Sequence, residues 1–125
     1  MTQKEYLSSL LKRNKEAIIV GSLGTISYDL KEISHKHKII IKGAMGCVMG
    51  VGLGIALNTD KKVIVLIGDG SFLMKMGSMA TILRYKLKNL KVIILNNNSY
   101  KSCGGQETNF KYIKKYVPFK IINIS

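Results

Sequence analysis

The 125-residue chain has no tryptophan, one proline, two cysteines and seven acidic side chains, and each shortage removes a class of protein. A single proline among 46% hydrophobic and 22% charged residues excludes a disordered linker and describes a globular chain. Cys47 and Cys103 stand far apart, with neither a Cys-x-x-Cys nor a zinc-ligand spacing. A disulfide framework and a zinc site therefore have no basis. The two histidines, His35 and His37, sit in the Lys-rich stretch Ser34-His35-Lys36-His37-Lys38 and read as exposed loop residues. The apolar stretch 44–57 is 14 residues long, short of the roughly 20 that cross a bilayer. Residues 1–15 are interrupted by Lys4, Lys12, Arg13 and Lys15, so no signal peptide is expected. The expected location is the cytoplasm, with no membrane partner. At this length the chain holds one domain, 1–125, with a real core.

The scarcity of acid leaves a net charge of +13. A charge of that size suits nucleic acid, an anionic surface or an anionic substrate. The lysines are scattered from Lys12 to Lys120, without the aromatic interleaving or helix-turn-helix pattern that nucleic-acid readout needs. No nucleic-acid partner is expected. A solvated lysine-rich surface and attraction of a multiply charged small anion are the two remaining readings.

What the chain does have is alternation. Short β-rich apolar runs at 17–20, 38–41, 63–67, 91–95 and 119–124 read as buried strands. Between them fall helical segments at 4–14, 27–34 (with Ser27 as its cap), 46–57, 72–87 and 108–116, and a polar loop at 96–106. This pattern predicts an α/β fold, a doubly wound parallel sheet with helices on both faces. The segment 46–57 carries Gly46, Gly50, Gly52 and Gly54. Glycine costs up to about 1 kcal/mol each in a helix, so a close backbone approach is expected, either helix on sheet or helix on helix across an interface.

Ligands of open parallel sheets bind at the carboxyl ends of the strands, and there the informative residues lie. Gly68-Asp69-Gly70-Ser71 closes one strand, and Asn96-Asn97-Asn98 closes the next after a 25-residue interval. A right-handed crossover brings both ends to one edge, which makes Asp69 and Asn97 neighbours. A carboxylate and an amide carbonyl suit Mg²⁺, which takes one or two oxygens from protein and the rest from phosphate and water. Gly68 and Gly70 leave room for an anion, and the first N–H groups of the helix that starts near Ser71 point at the same spot. Taken singly, the Asp-Gly pair or the asparagine run is an ordinary turn. Jointly they read as a site for a divalent cation and a diphosphate.

Gly-Asp-Gly, some 25 residues, then Asn-Asn resembles the signature of thiamine-diphosphate-dependent enzymes. The likeness extends through Gly43-Ala44-Met45-Gly46, Met76-Gly77-Ser78-Met79-Ala80-Thr81 and Gly104-Gly105-Gln106. It covers most of the chain and is nearest to the phosphonopyruvate and sulfopyruvate decarboxylases. The resemblance implies thiamine diphosphate and Mg²⁺ as cofactors, with Asp69, Asn97 and the Ser99 carbonyl on the metal. It implies cofactor contacts from Gly68, Gly70, Ser71, Ser99 and Tyr100. It places the aminopyrimidine at Gly43, Ala44 and Met45, with the Met45 side chain wedged beneath the bent cofactor; a core methionine is the plain alternative. Asn98, Tyr100 and Lys101 depart from the small residues of many relatives, and Gly104-Gly105-Gln106 reads as a loop hinge or a simple turn.

The resemblance also implies decarboxylation of 3-phosphonopyruvate, with sulfopyruvate as the alternative. The catalytic glutamate that such chemistry needs has no candidate here. Glu5, Glu16, Glu32 and Glu107 all lack the strand-end context, so no catalytic residue is assigned in this chain. The expected partner is a pyrimidine-binding, α-type subunit or domain within an oligomer, with an anionic 2-oxoacid as substrate. Ile124-Ser125 ends the chain on a strand without a closing helix, which reads as short for this domain. A non-catalytic remnant or assembly partner is the remaining alternative.

Overall fold

A computed structural model describes residues 1–124; Ser125, the last residue of the expected domain, lies outside the described residues. In chain order the elements are α1 (Gln3–Arg13), β1 (Ile18–Gly21), α2 (Thr25–Glu32), β2 (Lys38–Ile40), α3 (Val48–Ala56), β3 (Val63–Gly68), α4 (Asp69–Met74), α5 (Ser78–Tyr85), β4 (Leu90–Asn96) and β5 (Lys120–Asn123). All strand pairs are parallel, and the sheet order is β2-β1-β3-β4-β5. Strand order reverses between β1 and β3, which creates the crevice at the carboxyl edge where such sheets take ligands.

Side-chain alternation divides the sheet into two cores. Ile19, Ile64, Leu66, Ile93 and Leu95 face α1 and α2, where Leu7, Leu10, Leu11 and Leu30 meet them. Val65, Ile67, Val92 and Ile94 face the other way, onto Val48, Met49, Leu53, Phe72 and Phe110. Residues Val63 to Ile67 of β3 are wholly buried, as a central strand covered on both faces must be. Each such aliphatic side chain contributes about 1.5–3 kcal/mol on burial. Among the described residues no helix is long and apolar enough to cross a membrane.

Four local expectations are corrected. The segment 72–87 is not one helix, because α4 ends at Met74 and the chain turns through Lys75-Met76-Gly77 before α5. There the bonds tighten to the Ser78 N–H on Lys75 O and the Ala80 N–H on Gly77 O, and Gly77 is a poor helix former. The segment 108–116 forms two short 3₁₀ turns, Phe110–Tyr112 and Lys114–Tyr116. Asn109 before them is left-handed at φ +66°, and Phe110 is pinned in the core edge-on to Phe72 with centroids 5.9 Å apart. Ser27 lies inside α2 and does not cap it. The cap position is Gly24 at φ +84°, and Ser27 Oγ donates back to the Gly24 carbonyl at 2.6 Å. Finally, of the four glycines in 46–57 the expected close approach holds at Gly52, where a Cβ would overlap Val65 of the sheet, and at Gly46, where it would meet the Ser71 carbonyl, but not at Gly50 and Gly54, beside which the space is open.

Candidate functional site

The carboxyl ends of β1, β2, β3 and β4 converge on one hollow, lined among others by Gly24, Met45, Asp69, Asn97, Tyr100 and Lys101. Asp69 is its centre. The residue opens α4, where a negative charge is favoured by the helix dipole, yet it is only 2% exposed. Such a carboxylate needs hydrogen bonds. Oδ1 accepts from the Asn97 backbone N–H at 3.3 Å, and Oδ2 accepts from Thr108 Oγ1 at 2.6 Å. The neighbouring of Asp69 and Asn97 predicted from the crossover is thus a direct contact. Each carboxylate oxygen keeps lone-pair capacity for another partner.

The asparagine run is built by local bonds. Asn98 sits at φ +58°, a conformation asparagine tolerates. Asn97 Oδ1 accepts from the Ser99 N–H at 3.0 Å, and Asn96 Oδ1 accepts from the Asn98 N–H at 3.2 Å, so two side chains fold back on the backbone. Ser99 then pairs antiparallel with Glu107, flanked by the Tyr100 N–H on Gln106 O at 2.8 Å and the Thr108 N–H on Asn98 O at 3.2 Å. In that pattern the Ser99 carbonyl points away from the pairing. Asp69, Asn97 Oδ1 and the Ser99 carbonyl form an oxygen-only donor set with one carboxylate, which fits a hard cation such as Mg²⁺.

Glycines close the site. A Cβ on Gly70 would lie 2.6 Å from Tyr100 Cε1, so the bare backbone lets the Tyr100 ring pack onto the turn after β3. Gly46 is at φ +89°, and a Cβ there would lie 2.7 Å from the Ser71 carbonyl oxygen. The turn after β2 is thereby held against α4. Gly68, Asp69, Gly70, Ser71, Met45, Asn97, Ser99 and Tyr100 all line the hollow. Gly43 and Ala44 are exposed and do not line it among the described residues. Gly104 and Gly105, at φ +117° and +81°, make a turn in which the Gly105 N–H donates to Tyr100 O at 3.0 Å.

Sequence reasoning missed three contributors. Thr108 was placed at the start of a helix, and nothing in its spacing singles it out. Leu23, Gly24 and Thr25 line the hollow from the end of β1, and Ser22 Oγ donates to Ser71 Oγ at 3.4 Å; the Gly21-Ser22-Leu23-Gly24-Thr25 loop carried that signal. Gln3, from the first turn of α1, had none.

Comparison with known proteins agrees with this geometry. Residues 20–123 match the family of the thiamine pyrophosphate enzyme, C-terminal TPP binding domain. The chain is 38% identical over 109 residues to the sulfopyruvate decarboxylase subunit beta of Methanococcus maripaludis, covering 86% of this chain and 59% of that one. It is 41% identical over 93 residues to the phosphonopyruvate decarboxylase of Streptomyces hygroscopicus, covering 74% of this chain and 23% of that one. The chain therefore spans only part of each relative. The fold superposes on a 2-oxoglutarate:ferredoxin oxidoreductase from Magnetococcus marinus with a TM-score of 0.65 at 18% identity, over 83% of this chain and 36% of that one. With a family match over almost the whole sheet, and the Gly-Asp-Gly and asparagine turns meeting at its switch point, the chain belongs to the thiamine pyrophosphate enzymes, in the family of their C-terminal TPP binding domain.

Proposed function

We propose that residues 1–125 form the diphosphate- and metal-binding half of a thiamine-diphosphate-dependent 2-oxoacid decarboxylase, a carboxy-lyase whose substrate carries a second acid group at C3. The observation that carries this is the meeting of Asp69, Asn97 and Ser99 beside the glycine turn after β3. In this reading Asp69, Asn97 Oδ1 and the Ser99 carbonyl hold Mg²⁺. Gly68, Gly70, Ser71 and Tyr100 cradle the diphosphate. Gly43, Ala44 and Met45 receive the aminopyrimidine, with Met45 beneath the cofactor. When bound, the cofactor supplies the electron sink that lets CO₂ leave.

The second acid group is a sulfonate or a phosphonate, since relatives named for sulfopyruvate and for phosphonopyruvate match at 38–41% identity. The activating glutamate comes from elsewhere, because none of Glu5, Glu16, Glu32 and Glu107 lines the hollow. Relatives named as β subunits support a partner subunit, which in this reading is α-type and pyrimidine-binding, in a cytoplasmic hetero-oligomer. The test is calorimetric titration of thiamine diphosphate into the chain with and without Mg²⁺. Saturable binding that requires the metal is expected. Binding indifferent to Mg²⁺, or none, would sink the reading.

A further inference from the structure

Among the described residues Lys101 is the sole lysine or arginine lining the hollow, and Asp69 is its sole acid. Lys101 also lines an adjoining hollow of about 250 Å³ that shares Gln3, Thr25 and Asn97 with the first and continues past Lys4 and Asp29. The other charges there are engaged. Lys4 is paired with Glu32, and Asp29 Oδ2 accepts from Gln3 Nε2 at 2.7 Å. Among the described residues Lys101 has no ion-pair partner.

The backbone that carries Lys101 is fixed on three sides. Tyr100 before it packs on Gly70. The Cys103 and Gly105 N–H groups both donate to the Tyr100 carbonyl, at 2.9 and 3.0 Å. Ser102 Oγ stands 3.3 Å from where a Cβ on Gly24 would be, so the 3₁₀ turn Lys101–Cys103 spans from the end of β4 to the end of β1. An exposed lysine on a fixed backbone thus stands at the junction of the cofactor hollow and a second polar hollow.

We propose that Lys101 is the specificity-determining cation of this site, recognising the sulfonate or phosphonate at C3 of the substrate as that group enters the adjoining hollow. The proposal rests on the decarboxylase reading above. A 2-oxoacid with a second acid group brings at least two negative charges to a site lined by one acid, Asp69. A lysine ammonium offers a point charge with three donors, and charge-assisted bonds to an acid oxygen are the strong ones. Asp29 opposes the anion from the same hollow, with one of its oxygens engaged by Gln3 Nε2.

The experiment uses the full chain saturated with thiamine diphosphate and Mg²⁺, titrated with unreactive 3-sulfopropionate or 3-phosphonopropionate, and with propionate as the one-acid control. Lys101→Gln should weaken the two-acid probe by about 10- to 100-fold, the loss of one charged hydrogen bond. Propionate and cofactor affinities should stay within about twofold, less than half a kcal/mol, and Lys101→Arg should restore most of the loss. The tighter of the two probes identifies the head group. Equal affinity in Lys101→Gln, or no probe binding by the wild type, overturns the proposal. A matching fall in cofactor affinity also overturns it, by making Lys101 a cofactor residue. Failure of the wild type to take up the cofactor shows itself before any probe is added, and marks failure of the underlying decarboxylase reading instead.

Discussion

Asp69 carries two demands that conflict in an ordinary surface residue: the proposed function offers it to a metal, and it organises the fold around itself. Its two oxygens hold the Asn97 N–H and the Thr108 hydroxyl, which ties the ends of β3 and β4 to the chain before β5. Removing the whole side chain leaves two donors without an acceptor, at about 1–3 kcal/mol for each one that is buried. Asp69→Asn is therefore the cleaner variant, because it keeps shape and one acceptor. It should unfold only slightly earlier by circular dichroism, with about 1–2 kcal/mol lost. Mg²⁺-dependent uptake of thiamine diphosphate should fall by at least about 100-fold, since an amide would replace the one anionic group of the proposed metal site. Cofactor affinity unchanged in this variant would remove Asp69 from the metal site. At this scale the sequence spoke through spacing: two strand-end turns about 25 residues apart belong to one crossover, so Asp69 and Asn97 could be paired on paper. Thr108, 39 residues from Asp69, belongs to no such unit, and one threonine before an Asn-Phe pair carries no period to read.

Strands were more legible than helices, for a physical reason. A fully buried parallel strand must be apolar at every position, as Val63 to Ile67 are, and no turn or surface segment imitates that. Helices are decided by where the chain finds its next bond. The break at Gly77 turns on one poor helix former, and the two 3₁₀ turns after Asn109 follow from tertiary anchors, Phe110 in the core and Thr108 on Asp69, that periodicity does not contain. Helix α1 shows the opposite case, an element legible in outline whose detail carries a cost. Tyr6 is buried on its inner face, and its hydroxyl has no hydrogen-bond partner among the described residues. Burial raises the phenol above its ordinary value of 10.0, with Arg13 opposing. The folded state therefore holds this proton more tightly than the unfolded chain. That preference costs nothing below pH 10, and stability is lost as pH rises from the unfolded value through the raised folded one. Tyr6→Phe removes the unpaired hydroxyl and should stabilise the chain by about 1 kcal/mol at neutral pH. The advantage over wild type should grow above pH 10 in denaturant melts. A destabilised Tyr6→Phe would mean that the hydroxyl has a partner after all.

For the whole molecule, the consequence of sheet order 2-1-3-4-5 is that every loop with chemistry leaves the same edge, around the crevice between β1 and β3. Met45 is half-buried, Gly43 and Ala44 stand exposed, and among the described residues no glutamate lines the hollow. A cofactor seated on Asp69 would have its diphosphate and metal held and its aminopyrimidine turned outward, without the carboxylate that general acid–base help at that ring requires. The purified chain should accordingly bind thiamine diphosphate with Mg²⁺ but release no CO₂ from sulfopyruvate, phosphonopyruvate or pyruvate. Adding a pyrimidine-binding partner that brings a glutamate should restore decarboxylation, and changing that glutamate to glutamine should abolish it while assembly, followed by sedimentation, persists. The magnitude is expected to be large, because positioned proton transfer contributes about 10²–10⁴-fold, and burial of the aminopyrimidine by the partner adds to it. CO₂ release by the chain alone, at rates comparable with the assembled pair, would refute the half-site argument. A carboxylate of this chain would then have to be sought, and Glu107, bridged to Ser99, is the candidate glutamate. Glu107→Gln in the isolated chain distinguishes the two cases: it should change nothing if the partner supplies the acid, and should remove the activity if the chain supplies its own.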